Sequence, residues 1–355
     1  MRKLHKTLGC KTLLIGISAM AFTFPCHAQL STYMDSIYVN NVAALLHVVG
    51  DNFDDIANSQ SGFEVPKNSN KHTIYASALW IGGYENNNLK TAAMTYRQSG
   101  LDFFPGPLDT INAQTTKAEM TKWDKIWKVK KSEIDDFKAN HTLYASIANW
   151  PGNTNDSTHE AHNMAPYVDV NHNGIYDPAN GDYPDIKGDE MDWCVFNDNG
   201  GTHLESKGGQ ASLEIQSSAY EFNSSVDAIN NTLFIDYKIT NRSKYDLTNA
   251  FIGIWTDFDI GYAFDDYIGS APKLSAYYGY NGTKFDEVYG SNTPIESVIF
   301  LKDSMSRFLY YNNDANPVNG NMTISQDYYN YLSGVWKKRG LHEIWEGWCI
   351  RYYLL

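Results

Sequence analysis

The stretch Leu233-Phe-Ile-Asp-Tyr-Lys-Ile-Thr240 decides the fold class, because apolar and polar or mixed side chains alternate along it. Successive side chains of a β-strand point to opposite faces of its sheet, so this pattern predicts a strand with one face toward a core. The alternation returns in Ile252-Gly-Ile-Trp-Thr-Asp-Phe-Asp259. Two such segments in close succession indicate a β-rich domain.

Other parts of the chain fit the same reading. Residues 72–84 and 89–97 read as a β-hairpin around Glu85-Asn-Asn-Asn88, and Ser132-Glu-Ile-Asp135 reads as the start of a short helix. Further short strands are expected at 213–222, 274–280, 296–301 and 307–311. Short strands separated by polar turns predict a mostly β fold, with antiparallel β-sandwich modules, a calcium-type loop and minor helical content.

The first 28 residues have the features of a secretory signal. Arg2, Lys3, Lys6 and Lys11 form a basic start, Thr12 to Phe24 is apolar, and Cys26-His-Ala28 is a cleavage site with a small last residue. No later stretch is apolar enough to cross a membrane. We therefore expect a secreted protein, extracellular or on the outer cell surface, without a transmembrane segment in the mature chain.

The composition narrows the classes of partner. Removing the signal takes away four Lys or Arg and no acid, so the net charge of −13 becomes −17. An acidic chain repels nucleic acid and suits divalent cations. Only Cys194 and Cys349 remain after cleavage, which is no disulfide framework.

A calcium loop is predicted at Asp169-Val-Asn-His-Asn-Gly-Ile-Tyr-Asp177. Ca²⁺ takes about six to eight oxygen ligands, and a chain curling around it presents every second side chain inward. The expected ligands are the side chains of Asp169, Asn171, Asn173 and Asp177, the carbonyl of Ile175 and, in place of the usual Glu, the side chain of Asp182. With three carboxylates the affinity should be weak, on the order of 10⁻⁴–10⁻³ M. The alternative is an Asx-rich turn without metal.

A second group of carboxylates comprises Asp257, Asp259, Asp265 and Asp266. It has three readings: a second calcium site, a glycosidase pair formed by Asp257 and Asp259, or a solvated acidic turn. Aromatic residues make up 14% of the chain, with 25 Tyr and 9 Trp. Exposed aromatics such as Trp255 would suit a sugar, whereas buried ones would belong to the β core.

These segments divide the chain into five predicted parts. They are a signal peptide (1–28), an N-terminal β-rich region with a short helix (29–165), a calcium-loop connector (166–206), a β-sandwich (207–336) and an atypical tail (337–355).

A series of short motifs runs through the chain in a fixed order. It includes Gly62-Phe-Glu-Val-Pro-Lys67, Ala78-Leu-Trp-Ile-Gly-Gly83, Phe104-Pro-Gly-Pro-Leu108 and Asp265-Asp-Tyr-Ile-Gly269. From about Asn40 to Trp336 this order resembles a family of large secreted or surface proteins of bacteria that use type IX secretion. The resemblance implies export and a surface location but no activity. The family's usual C-terminal sorting domain is not recognised here, and the basic tail after Trp336 suggests a shifted reading frame.

Together these features predict a secreted, calcium-stabilised structural or adhesion protein without catalysis. Its expected partners are extracellular glycans or surface proteins, with no nucleic acid. The alternative is a carbohydrate-binding or glycoside-cleaving protein that uses the Asp257 and Asp259 cluster.

Overall fold

A computed structural model describes residues 33–154 and 159–338. Strands account for 35% of the described residues and helices for 14%, and the strands pair antiparallel. The prediction of a mostly β fold with minor helical content is therefore confirmed. The predicted signal peptide and residues 339–355 of the tail lie outside the described residues.

The elements follow one another in a chain of short strands interrupted by brief helices. The strands are β1 (Met34–Ile37), β2 (Ala43–His47), β3 (Asp51–Asn52), β4 (Asp54–Asp55), β5 (Gln60–Ser61), β6 (Phe63–Glu64), β7 (His72–Glu85), β8 (Asn88–Ala93), β9 (Phe104–Pro105), β10 (Trp127–Lys130), β11 (Tyr167–Val168), β12 (Tyr183–Pro184), β13 (Glu190–Asn197), β14 (Leu213–Glu221), β15 (Phe234–Asn241), β16 (Thr248–Phe258), β17 (Asp266–Ala271), β18 (Ala276–Asn281) and β19 (Ile295–Ile299). The helices are α1 (Lys117–Trp123), α2 (Lys131–Asn140), α3 (Ala145–Ala148), α4 (Asp227–Asn230) and α5 (Ser325–Leu332).

The first sheet is built around β7, the longest strand. Its order is β1-β2-β6-β7-β16, and β3 and β8 also pair with β7. The predicted hairpin is present, since β7 and β8 pair from Trp80↔Ala93 to Glu85↔Asn88. On its other edge β7 pairs with β16, where a register shift lies between Asp257 and Phe258.

The second sheet has the order β10-β13-β14-β15, with β9 also on β13. The deciding stretch forms β15, and Ile235, Tyr237 and Ile239 pack against the main core as their spacing predicts. The sequence predicts a domain boundary at residue 207, but each of the two sheets contains strands from before and after that residue. β14 pairs with β13, whereas β16 pairs with β7, so the strands after residue 207 are shared between two sheets.

Two clusters of buried apolar residues stabilise this arrangement. The larger takes Trp80 and Trp255 from the first sheet and Phe196 and Ile215 from the second. The smaller lies on the opposite side of β13, around Trp193, and includes residues of α1, α2 and α3. The second sheet is thus covered by apolar contacts on both faces.

A third sheet, β17-β18-β19, lies on the first. Tyr277 of β18 is buried against Phe258 and Phe308. The prediction of a strand at 307–311 is wrong. This segment contributes buried residues to the core but pairs with no strand. The carbonyl of its Tyr310 instead accepts a hydrogen bond from the Trp336 indole at 3.1 Å. No helix in the described part of the chain is long and apolar enough to span a membrane.

Candidate metal centre and buried carboxylate clusters

The predicted calcium loop connects β11 and β12. These two strands pair antiparallel, Tyr167 with Pro184 and Val168 with Tyr183, so the ends of the loop are held side by side. The loop therefore starts at Asp169 and returns at Asp182 with its ends fixed by backbone hydrogen bonds. A loop closed in this way can hold several side chains around one point.

Asp169 organises the first half of the loop. Its Oδ2 accepts a hydrogen bond from the Gly174 N–H at 2.8 Å, and its Oδ1 accepts one from the Asn173 N–H at 3.2 Å. Gly174 has φ +78°, and no neighbouring atom lies within 4 Å of the place where a Cβ would stand. The glycine is thus favoured by its backbone angle and not by crowding.

The side chains of Asn171, Asn173 and Asn180 converge on one carboxylate. Their Nδ2 groups lie 3.2, 3.1 and 2.8 Å from oxygens of Asp177. The pKa of Asp177 is lowered, first by the hydrogen bond from Asn180 and then by contacts with Asn173, Asp182 and Asn171, while burial acts in the opposite direction. Asp177 is therefore held as a carboxylate in the middle of the loop.

Asp182 closes the loop from inside. Its side chain is fully buried, Oδ1 accepts from the Val170 N–H at 2.8 Å, and Oδ2 accepts from the Asp177 N–H at 2.9 Å. Each carboxylate oxygen still has a lone pair for a second partner. The predicted substitute ligand thus lies next to Asp177, and it also ties the two ends of the loop together.

The donor set of this loop fits a hard cation. Among the ion pairs of residues 33–154 and 159–338, none joins a Lys or Arg to Asp169, Asp177 or Asp182. In the same residues no three His, Cys, Asp or Glu side chains form a metal-holding group by themselves. A cation here would therefore also need the amide oxygens of Asn171 and Asn173 and a backbone carbonyl, which is the mixed oxygen shell that Ca²⁺ accepts.

The second predicted group divides into separate environments. Asp257 accepts a hydrogen bond from the Tyr96 hydroxyl at 2.5 Å, and burial raises its pKa against the effect of that bond. Asp265 instead faces Asn281, whose Nδ2 lies 3.0 Å from its Oδ1. Trp255, the suggested sugar-stacking residue, is buried and lies parallel to Trp80 at 6.4 Å between ring centroids. It therefore belongs to the core and is not available to a ligand at the surface.

Asp259 and Asp266 share their surroundings with a third acid, Asp286, that the sequence analysis missed. Burial raises the pKa of Asp259 to about 6, with Asp257 and Asp286 adding to the rise. Burial likewise raises the pKa of Asp266 to about 7, with Asp259, Asp265 and Asp286 adding to it. Asp286 itself is fully buried and accepts the N–H groups of neighbouring turn residues. Its place before Glu-Val-Tyr-Gly290 is a turn signature that could have indicated it.

A third group of acids lies on the inner face of the second sheet. Glu190 and Asp192 are two residues apart on β13, and Glu221 is the cross-strand partner of Glu190. All three are almost fully buried, at 1%, 3% and 0% exposure. The Nζ of Lys128 lies 3.8 Å from both Glu190 and Asp192. Alternate acids within a strand give no sequence signal of burial, since the same pattern is typical of a solvated face.

Comparison of the chain with protein-family models, curated proteins and solved structures finds no match. The chemistry of the loop and of the exposed surfaces is therefore the basis for a functional interpretation.

Proposed function

We propose that this chain is a secreted structural or adhesive protein whose Asp169–Asp182 loop binds Ca²⁺, and that it acts by binding and not by catalysis. The observation that carries the proposal is the grouping of Asp177 with the buried Asp182 and with the side-chain amides of Asn171 and Asn173 in one closed loop. These amides donate Nδ2–H groups to Asp177, so a bound cation would replace those hydrogen bonds and take the amide oxygens as ligands.

The energetic reason follows from the charges. Asp177 and the buried Asp182 lie beside each other, since Asp182 Oδ2 accepts the Asp177 N–H at 2.9 Å. A divalent cation between the two carboxylates would be attracted to both. Ca²⁺ would thus stabilise the folded state, because the unfolded chain does not hold these side chains together.

An extracellular location supports the choice of calcium. Residues 1–28 predict secretion, and weak calcium sites of this kind suit compartments where the ion is abundant. The resemblance to surface proteins of bacteria with type IX secretion agrees with the same location. A structural or adhesive role is then the simplest use of a large β-rich chain with a cation-stabilised loop.

The test is a thermal melt of the chain from Gln29 onward, first in EDTA and then with 10 mM CaCl₂. If the dissociation constant is about 10⁻⁴ M, this concentration is about 100-fold higher and should stabilise by about 2.7 kcal/mol. For a chain of this length that corresponds to a rise of roughly 5 °C in Tm.

Asp169→Ala should abolish the rise. Asp303→Ala, which removes an exposed carboxylate far along the sequence, should leave it unchanged. A Tm that does not respond to calcium would mean that the loop is an Asx-rich turn, and the calcium proposal would be lost.

The alternative of a glycoside-cleaving pair receives less support from the geometry. Asp257 is engaged by Tyr96, and Trp255 is buried in the core. These observations concern cleavage at Asp257 and Asp259 only. Carbohydrate binding is considered below, because a different surface of the chain has exposed aromatic rings.

A further inference from the structure

The outer face of the third sheet carries an exposed row of aromatic and apolar side chains. Tyr267, Tyr280 and Ile295 are cross-strand partners on β17, β18 and β19, so they point to the same side. Tyr277 points to the opposite side and is buried in the core. Tyr267 is 59% exposed, Tyr280 37% and Ile295 69%, so this row faces outward.

Two glycines make room for tyrosine rings close to the backbone of the sheet. A Cβ on Gly269 would stand 2.5 Å from the ring of Tyr278, its cross-strand partner. A Cβ on Gly282 would stand 2.1 Å from the ring of Tyr267. Each ring therefore lies against a residue without a side chain.

The rings form a continuous surface. Tyr267 and Tyr280 are stacked with centroids 6.0 Å apart and an angle of 29° between their planes. Tyr278 lies 5.9 Å from Tyr280 at 44°. We call Tyr267, Tyr278 and Tyr280 the tyrosine platform. Exposed aromatic rings offer apolar faces on which the flat apolar faces of sugar rings can stack.

Hydrogen-bonding groups border the platform at one end. Asn281 lies on the opposite face of the sheet from Tyr280, and its Nδ2 donates to Asp265 Oδ1 at 3.0 Å, which positions that carboxylate. The hydroxyl of Thr283 lies 3.3 Å from Asp265 Oδ2. A Cβ on the intervening Gly282 would contact both the Tyr267 ring and the Asp265 carbonyl, so Asp265 and Thr283 lie close to this ring. A carboxylate and a hydroxyl beside an aromatic ring supply both an acceptor and a donor, as the hydroxyl groups of a sugar require.

The charge of the border selects against anionic ligands. The acids of this border that are at least partly exposed are Asp265 and Glu287, against Lys284 as the one cation of residues 281–290, whereas Asp286 is buried and Asp266 faces the other side of the sheet. A phosphate, a sulfated sugar or a uronic acid would be repelled by this surplus of carboxylates. A neutral ligand carries no such cost.

We propose that the tyrosine platform binds a neutral oligosaccharide, with sugar rings stacked on Tyr267 and Tyr280 and sugar hydroxyl groups bonded to Asp265 and Thr283. This proposal names a class of ligand for the proposed adhesive function. Its biological role rests on that function, whereas binding itself can be measured independently. The site is formed by different residues from the calcium loop, so each can be tested without the other.

The test uses the full mature chain and isothermal titration with cellohexaose, xylohexaose and mannohexaose, preceded by retardation on gels containing the corresponding neutral polysaccharides. We expect binding of at least one of these probes. Tyr267→Ala should weaken it at least tenfold, and Tyr267→Phe should retain most of it because the ring remains. Tyr245→Ala removes a tyrosine of similar exposure outside the platform and should have no effect.

Unchanged Tm and an unchanged calcium response in Tyr267→Ala would show that the variant folds and that the calcium loop is intact. The platform proposal is overturned if the folded chain binds none of the neutral glycans, if it binds only anionic ones, or if Tyr267→Ala binds as well as wild type. It is also overturned if light scattering shows that the platform holds a second copy of the chain, in a dimer that Tyr267→Ala dissociates.

Discussion

Replacing Glu205 by Gln should remove a specific part of the pH dependence of stability. The Glu205 side chain is buried, and it accepts hydrogen bonds from the Thr95 N–H at 2.9 Å and from the Tyr328 hydroxyl at 3.2 Å. Burial raises its pKa to about 8; the nearby Asp102 adds to the rise, and the bonds from Thr95 and Tyr328 oppose it. The folded protein therefore keeps a proton on Glu205 at a pH where the unfolded chain has lost it.

The magnitude follows from the two pKa values. A glutamate in the unfolded chain titrates near 4.5, and Glu205 in the folded chain titrates at about 8. The stability from this group is fully present below pH 4.5 and is lost as the pH rises through 8. Between those values one proton distinguishes the states, which costs about 1.4 kcal/mol per pH unit, or roughly 4 kcal/mol from pH 5 to pH 9.

Urea denaturation at pH 5, 6, 7, 8 and 9, with calcium held constant, measures this loss. Glu221, Glu296 and Asp266 add to the wild-type slope below pH 7, because burial raises their pKa values to about 7, and Asp259 adds to it below about 6. The clearest interval for Glu205 is therefore pH 7 to 8. Glu205 loses its proton progressively across this interval, so in Glu205→Gln the slope there should fall by about 1 kcal/mol per pH unit.

Gln has the shape of Glu and can still accept from Thr95, so the variant should fold. Glu287→Gln, at an exposed position, should leave the slope unchanged. If Glu205→Gln and wild type lose stability equally between pH 7 and 8, then Glu205 is not protonated in the folded protein at neutral pH, and the reasoning from its burial is refuted.

Three further predictions concern the buried face of the second sheet. Lys128→Met leaves Asp192 without its nearby cation, whereas Glu190 keeps Lys130 at 3.5 Å, and it should lower the free energy of unfolding by about 3 kcal/mol at pH 7. The loss should be smaller at pH 5, because burial raises the pKa of Asp192 and the carboxyl group can take up a proton there. Urea midpoints at both pH values measure this difference, and an equal loss at both would contradict it. Gly188→Ala should lower Tm more than Gly290→Ala does. Both glycines have positive φ, but only at Gly188 would a Cβ stand 2.3 Å from a backbone oxygen. Equal shifts in Tm would show that this close contact does not affect stability. Burial raises the pKa of the Cys194 thiol, so a disulfide reagent such as DTNB should react with it only after unfolding, and rapid modification of the folded protein would show that the thiol is accessible.

The alternating stretches were the most reliable guide to the fold. β15 and β16 lie where the periodicity places them, and the hairpin of β7 and β8 differs from its prediction mainly by ending at Ala93. Alternation is local, since it depends only on neighbouring residues sharing one strand. For the same reason it does not show which strands pair, and residues 307–311, which resemble a strand, form no ladder in the structure.

The hydrogen-bonded turns of the Asp169–Asp182 loop were predictable because their spacing is also local. Asp169, Gly174 and Asp177 lie within nine residues, and their geometry follows from the turns between them. The burial of Asp182 and the approach of Asn180 to Asp177 needed the structure. They depend on the pairing of β11 with β12, which closes the loop.

The sequence by itself determined the β-rich class, the oxygen-rich loop and the abundance of tyrosine. The tertiary structure decided which aromatic residues are buried and which acids are close together. Trp255 is in the core and Tyr267 is exposed although both lie on strands, because β16 has a neighbouring layer on that face and β17 has none among the described residues. Burial is a property of what packs against a strand, and the residues of the strand alone do not specify it.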